Sequence, residues 1–251
     1  MRTYIKKFEN EPEYTAFVNS SGFVIPNVSA WEIESGETMV KFNGTKPDIE
    51  AQHEYVDLGL PSGTLWATEN IKDENGNDLY FAWGETQGYT SGQVGTDKNF
   101  TDSDYAFGPY DWSDEIDYGI TKYNEKDNKT VLDATDDAAI VNWGSGWRMP
   151  TKEQFDELTA NTTTAWTQVD GVNGLLCTST ANTNTLFFPA VGSAEDGEVG
   201  DVVNYGQYWS VSLRDDGAKY AWRLDFAIGY CGVSDSDRYY GYSVRPVKTQ
   251  D

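Results

Sequence analysis

An α+β fold with few helices is what this sequence predicts, and three observations predict it. Glycine occurs 24 times among 251 residues, which suits a chain rich in turns. Aromatic residues are abundant, with 9 Trp, 16 Tyr and 11 Phe, so large rings are available to pin loops onto a small core. Apolar residues fall mostly in short runs, and helix-start signals are few.

The first 45 or so residues form a module of their own. Asn10-Glu11-Pro12-Glu13 reads as a helix start, with a capping Asn, Pro in the first turn and Glu at the third position. Tyr14, Phe17 and Val18 then share one helical face, and Ser20-Ser21-Gly22 ends it. Short strands are expected at Phe23–Val28, Ala30–Ile33 and Met39–Phe42, with Ser35-Gly36 as a turn between the last two. Residues 1–46 are thus expected to be a small α+β attachment or oligomerisation module. Residues 47–53 read as a linker, from Pro47 and mixed charges without periodicity.

Residues 54–251 read as the main domain. Helices are expected at 133–141, which opens on acidic residues, and after Pro150, where Thr151-Lys152-Glu153-Gln154 is a capping box followed by Phe155 and Leu158. Strands are expected at Thr185–Pro189, Gln207–Val211, Tyr220–Phe226 and Gly241–Val247. Residues 85–130 read as one long irregular excursion, the kind that carries function or moves.

Charge narrows the function. The formal net charge is −23, from 18 Lys plus Arg against 41 Asp plus Glu. A chain that meets nucleic acid or an anionic membrane surface needs clustered cations, so neither partner is expected. No run of about 18 apolar residues is present, so no membrane-inserted helix is expected. Met1–Phe8 carries charges without an apolar stretch behind it, which reads as no signal peptide.

Several segments in order carry a resemblance. They are Tyr55-Val56-Asp57-Leu58-Gly59-Leu60-Pro61-Ser62-Gly63-Thr64-Leu65-Trp66-Ala67-Thr68, Tyr80-Phe81-Ala82-Trp83-Gly84-Glu85-Thr86, Asp136-Asp137-Ala138-Ala139, and Trp143-Gly144-Ser145-Gly146-Trp147-Arg148-Met149-Pro150-Thr151. Gly206-Gln207-Tyr208-Trp209-Ser210 and Arg238-Tyr239-Tyr240-Gly241-Tyr242-Ser243-Val244-Arg245-Pro246-Val247 complete the set. Over roughly residues 54–248 the chain resembles the Fibrobacter-type major paralogous domain of gut Bacteroidetes and their phages. That family is similar to the C-type lectin fold, to formylglycine-generating enzymes and to the variable proteins of diversity-generating retroelements. The resemblance implies a C-type-lectin-like domain behind the small N-terminal module. It implies a non-enzymatic receptor-binding protein, an adhesin of a phage tail or virion with a ligand-binding face that diversification can vary. The partners implied are a host cell-surface protein or glycan, and other tail subunits through residues 1–46; a homotrimer is compatible with this. An exported adhesive protein of the bacterial cell surface is the alternative, and an enzyme of the formylglycine-generating type a remote one.

The ligand-binding face is expected near the C-terminus. Tyr220–Phe226 alternates, with Trp222, Leu224 and Phe226 on one side and Ala221, Arg223 and Asp225 on a wet side. Flanking loops are expected to add Arg214, Asp215, Asp216 and Lys219 before it, and Tyr230, Cys231, Ser234, Asp235, Asp237, Tyr239 and Tyr240 after it. Tyr, Ser, Gly, Asp and Arg make up the composition of a paratope. In diversified relatives the varied stretch precedes an ending like Gly241–Val247.

Other chemistries find less support. His53 is the only histidine and reads as a solvated linker side chain, which leaves no catalytic triad or His-based metal cluster. Cys177 reads as a small core residue, and it does not match the cysteine pair of the oxidase relatives with Cys231. Asp97, Asp102 and Asp104 offer oxygen ligands that leave structural calcium open, without EF-hand spacing. No other cofactor is expected. Asp136 and Asp137 read as helix-start residues, and Gly144-Ser145-Gly146 as a tight turn between buried tryptophans.

Overall fold

The structure is a computed structural model. It describes the backbone of residues 3–8, 28–32 and 38–43, and residues 53–214 and 217–249. The chain divides into two compact units, Met1–Gln52 and His53–Asp251.

In the first unit β1 (Thr3–Phe8), β2 (Val28–Glu32) and β3 (Thr38–Asn43) form an antiparallel sheet in the order β1-β3-β2. β1 is a strand the sequence reading does not anticipate. The expected helix at 10–20, most of the expected strand Phe23–Val28 and the Ser35-Gly36 turn lie outside the described residues.

The second unit is a set of small antiparallel sheets with two short helices, a mixed α and β architecture. β4 (Tyr55–Asp57) and β5 (Thr64–Ala67) are joined through a turn in which the Asp57 carboxylate accepts the Gly59 N–H at 2.7 Å. β14 (Val247–Thr249) lies on the other side of β5, so the opening and closing segments of the unit share one sheet.

Helix α1 (Ala138–Trp143) is capped by Asp137, and α2 (Lys152–Ala160) by the reciprocal Thr151–Gln154 capping box. The first helix is thus shorter than expected, beginning after the acidic run. Asp137 fills the capping role, and Asp136 instead meets Lys122 and the Tyr123 hydroxyl.

Two hairpins follow from Asp-Gly pairs. β6 (Thr162–Val169) and β7 (Val172–Ser179) are joined by Asp170 and Gly171, with φ of 50° and 83°. β9 (Ser193–Glu195) and β10 (Glu198–Gly200) are joined by Asp196 and Gly197, with φ of 49° and 77°. Two positive φ values in a two-residue connection match the twist of paired strands. β8 (Thr185–Pro189) completes the sheet β6-β7-β8.

The third sheet carries the expected binding segment: β11 (Tyr205–Leu213), β12 (Tyr220–Ala227) and β13 (Tyr230–Asp237). Residues 230–237, expected to be a loop, are a strand paired with β12 along its whole length. The expected strand Gly241–Val247 is instead a series of single bridges, to Ala194, Phe81, Tyr208 and Arg148, before it enters β14. It runs as a keystone between separate elements, and Pro246 supplies no N–H to a ladder.

Both faces of β12 are covered. Leu224 and Phe226 enter one core cluster with Trp66, Phe155, Leu175 and Phe188. Ala221, on the side expected to be wet, enters another with Trp83, Trp147, Trp209 and Tyr242. A third cluster, built on Tyr80, Phe100, Tyr105, Tyr110 and Ile120, lies largely within the excursion. Residues 85–130 contain no helix or strand and are packed by rings instead. Two guanidiniums are fully buried. Arg238 donates to the Tyr105 hydroxyl and to the carbonyls of Tyr123, Ala218 and Lys122. Arg245 donates to Asn70 and to the Ala67 carbonyl.

Candidate functional site

β12 and β13 set the geometry. The register Tyr220↔Asp237 and Trp222↔Asp235 brings acidic residues of β13 beside the start of β12. Arg214 leaves the end of β11 and donates to Asp235 at 2.7 Å, with its guanidinium 5.4 Å from the centre of the Tyr220 ring. Lys219 donates to the Tyr220 hydroxyl at 2.6 Å and lies 3.5 Å from Asp237. Burial works against the Lys219 ammonium, but the Tyr220 hydroxyl and Asp237 outweigh it and its pKa is raised. Burial likewise raises the Asp237 pKa, with Lys219 opposing.

The excursion adds residues the sequence reading missed. The Lys219 ammonium sits 4.4 Å from the centre of the Trp112 ring and 5.6 Å from that of Tyr118. Trp112 remains 49 % exposed, and its indole N–H donates to Asp102 at 2.8 Å. Tyr110 links Trp112 to Tyr239, whose ring meets it edge-on at 5.2 Å. Tyr239 in turn packs on Tyr240 at 4.7 Å. One cluster therefore joins Arg214, Lys219, Tyr220, Asp235 and Asp237 to the excursion's rings. The length of the excursion is a sequence signal for function, but no local pattern says which of its rings faces β12.

The other expected residues do not share one open patch. Arg223 and Asp225 keep 12 % and 17 % of their side chains exposed and face each other at 3.3 Å. The Arg223 guanidinium lies 5.1 Å from the centre of the Tyr242 ring, under the keystone segment. They are covered because β12 packs on both sides. Tyr230 is 49 % exposed but lies at the opposite end of β13, about 23 Å of strand from Asp237. Cys231 is half-buried against the Phe226 cluster, and burial pushes its thiol up to about 11. Cys177 is buried, and its thiol is pushed up to about 12 by burial, then by Cys231. Both cysteines are free. Asp215 and Asp216 lie outside the described residues.

The aspartates considered for calcium have separate engagements. Asp104 accepts the N–H groups of Asn99, Phe100 and Thr101; Asp102 holds Trp112; Asp97 accepts from Gln93. Among the described residues, no three His, Cys, Asp or Glu form a group that could hold a metal.

His53 is not a solvated linker side chain. Its ring stacks on Trp143 with centroids 3.5 Å apart and planes 7° from parallel, and meets Trp147 edge-on. Burial lowers its pKa below 6.5, against the opposing effect of Glu69. The sign follows: below about pH 6.5 the unfolded chain takes up the proton before the folded one, so stability falls as pH drops towards the lower folded value. His53→Phe keeps a ring on Trp143 and removes this proton. Its melting midpoint is expected to decline less than that of the unsubstituted chain between about pH 7 and about pH 5. Parallel declines in thermal scans would refute the assignment.

Comparisons with protein-family models, with curated proteins and with solved structures return no match to this chain.

Proposed function

We propose that the chain is a non-enzymatic ligand-binding protein. In this reading the second unit is a C-type-lectin-like scaffold, and the cluster around Lys219 is its recognition face. The observation that carries it is the half-exposed Trp112 ring capped by Lys219, with Tyr118, Tyr220 and the Arg214–Asp235 pair beside it. Rigid aromatic surface next to paired charges gives contact area at low entropic cost, plus polar groups that select an orientation. The scaffold reading is supported by the short sheets and by the long excursion packed on buried rings.

The setting, a phage tail or virion that meets a host-surface protein or glycan, rests on the sequence resemblance. In that setting residues 1–46 would join the other tail subunits. The test is adhesion of fluorescently labelled full-length chain to intact gut Bacteroidetes cells. Trp112→Ser with Tyr220→Ser is expected to weaken adhesion at least about 100-fold, the combined scale of two aromatic hot spots. Trp112 is 49 % exposed and Tyr220 only partly so, and a melting midpoint measured beside adhesion separates loss of the face from loss of the fold. Adhesion equal to that of the unsubstituted chain would overturn the site.

A further inference from the structure

We infer that β6 is the seam of a homodimer, in which two copies of this chain pair their β6 strands antiparallel about a two-fold axis. The inference begins with charge. No Asp, Glu, Lys or Arg stands anywhere in β6, β7 or β8, whose sequences are TTTAWTQV, VNGLLCTS and TLFFP. In a chain with 24 % charged residues and a net charge of −23, every other sheet among the described residues carries charge.

β6 is also an undefended edge. It is an outer strand of its sheet, and among the described residues its backbone ladder is with β7 alone. Unpaired strand edges are templates for pairing, and folded proteins usually blunt them with charge, proline or a bulge. The other edges follow that rule. β13 carries Asp235 and Asp237, β4 carries Asp57, β14 carries Lys248, and β8 ends on Pro189. β9 and β10 each carry a Glu, β1 has two Lys, and β2 has Glu32. β11 is uncharged but covered, because its N–H groups at Trp209, Val211 and Leu213 reach the carbonyls of Ser243, Pro150 and Thr130. β6 has eight residues, no such device, and exposed side chains at Thr163, Thr164 and Ala165.

The register shows what the outer face offers. Ala165, Leu176 and Phe187 lie in one row across the sheet, and Thr163, Thr178 and Thr185 in the next. A charged partner would find nothing complementary on it. A second copy fits for two reasons. Two chains of charge −23 repel wherever their acidic surfaces meet, and this sheet is where they approach without that penalty. The strand is also self-complementary: a two-fold axis at Ala165 sets Thr163 opposite the partner's Thr167, both on the outer face, and places no like charges together. The result is a six-stranded sheet with a continuous uncharged face.

The experiment is sedimentation equilibrium on the full chain from ~1 µM to ~500 µM, a range that spans weak and tight dimers. The expected species at the upper end is a dimer of twice the 28.0 kDa chain mass. Ala165→Asp, at an exposed position, is expected to weaken association at least about tenfold. Far-UV circular dichroism checks that this variant folds. Hydrogen exchange on the unsubstituted chain gives an answer that does not depend on the variant. Amides of β6 should exchange more slowly as concentration rises, and those of β13 should not change. A monomer throughout the range would overturn the proposal. So would a dimer that Ala165→Asp leaves intact with β6 exchange independent of concentration.

Discussion

Arg238→Ala is expected to destabilise the second unit by about 4 kcal/mol, the loss of a buried charged donor network. The side chain is 0 % exposed and has no carboxylate partner among its contacts. Its charge is met by neutral oxygens and ring faces. The Trp83 ring centre lies 4.5 Å from the guanidinium, and the Tyr105 ring centre 5.4 Å away. Truncation leaves the Tyr105 hydroxyl and three carbonyls without this donor and opens a cavity among the rings. Two of those carbonyls, on Lys122 and Tyr123, belong to the excursion, and the third, on Ala218, precedes β12. The substitution should therefore free the excursion as well as lower the midpoint of denaturant unfolding. Proteolysis within residues 85–130 should accelerate in parallel. Arg238→Lys should recover little, because one ammonium cannot reach acceptors arranged around a planar fork. An unchanged denaturation midpoint in Arg238→Ala would show that the excursion is held by its rings alone.

Asp137→Ala is expected to cost about 3 kcal/mol, a helix cap plus a buried N–H left without a partner. The carboxylate is 2 % exposed. It accepts the N–H groups of Ala139 and Ile140 at 2.8 and 3.2 Å, and that of Met149 at 3.0 Å. It thereby ties the start of α1 to the chain that returns after the Trp143–Trp147 turn. Burial raises its pKa, with the three N–H donors pulling the other way. Asp137→Asn retains an oxygen where Oδ1 accepts from all three N–H groups, so it should lose well under half as much. Denaturant titrations of the two variants check this. Equal losses would mean that the charge matters rather than the acceptor geometry.

Local signals made part of this fold legible. The Thr151–Gln154 capping box, the Asp137 cap and the strands β8, β11 and β12 are written in neighbouring residues. Asp170-Gly171 carries the same kind of signal for the β6–β7 hairpin. Other features depend on contacts far along the chain. Period-two alternation in β12 shows two faces, but not that a second core cluster covers the Ala221 side and with it most of Arg223 and Asp225. That is why the expected patch divides. Arg238 and Arg245 resemble surface residues by type, and their burial depends on carbonyls presented by distant segments. His53 reads as linker because its partner, Trp143, lies ninety residues on. Trp112 and Tyr118 reach Lys219 only through the path of the excursion.

The β4–β5–β14 sheet has a mechanical consequence. β4 and β14 each run antiparallel to β5, so they run parallel to one another on either side of it. Tension applied at Tyr55 and Thr249 would pull these outer strands lengthwise in opposite directions. The inter-strand bonds would then bear the load together, in shear, instead of parting one after another like a zip. The lifetime of the unit under such a load is set by its unfolding rate rather than by its equilibrium stability.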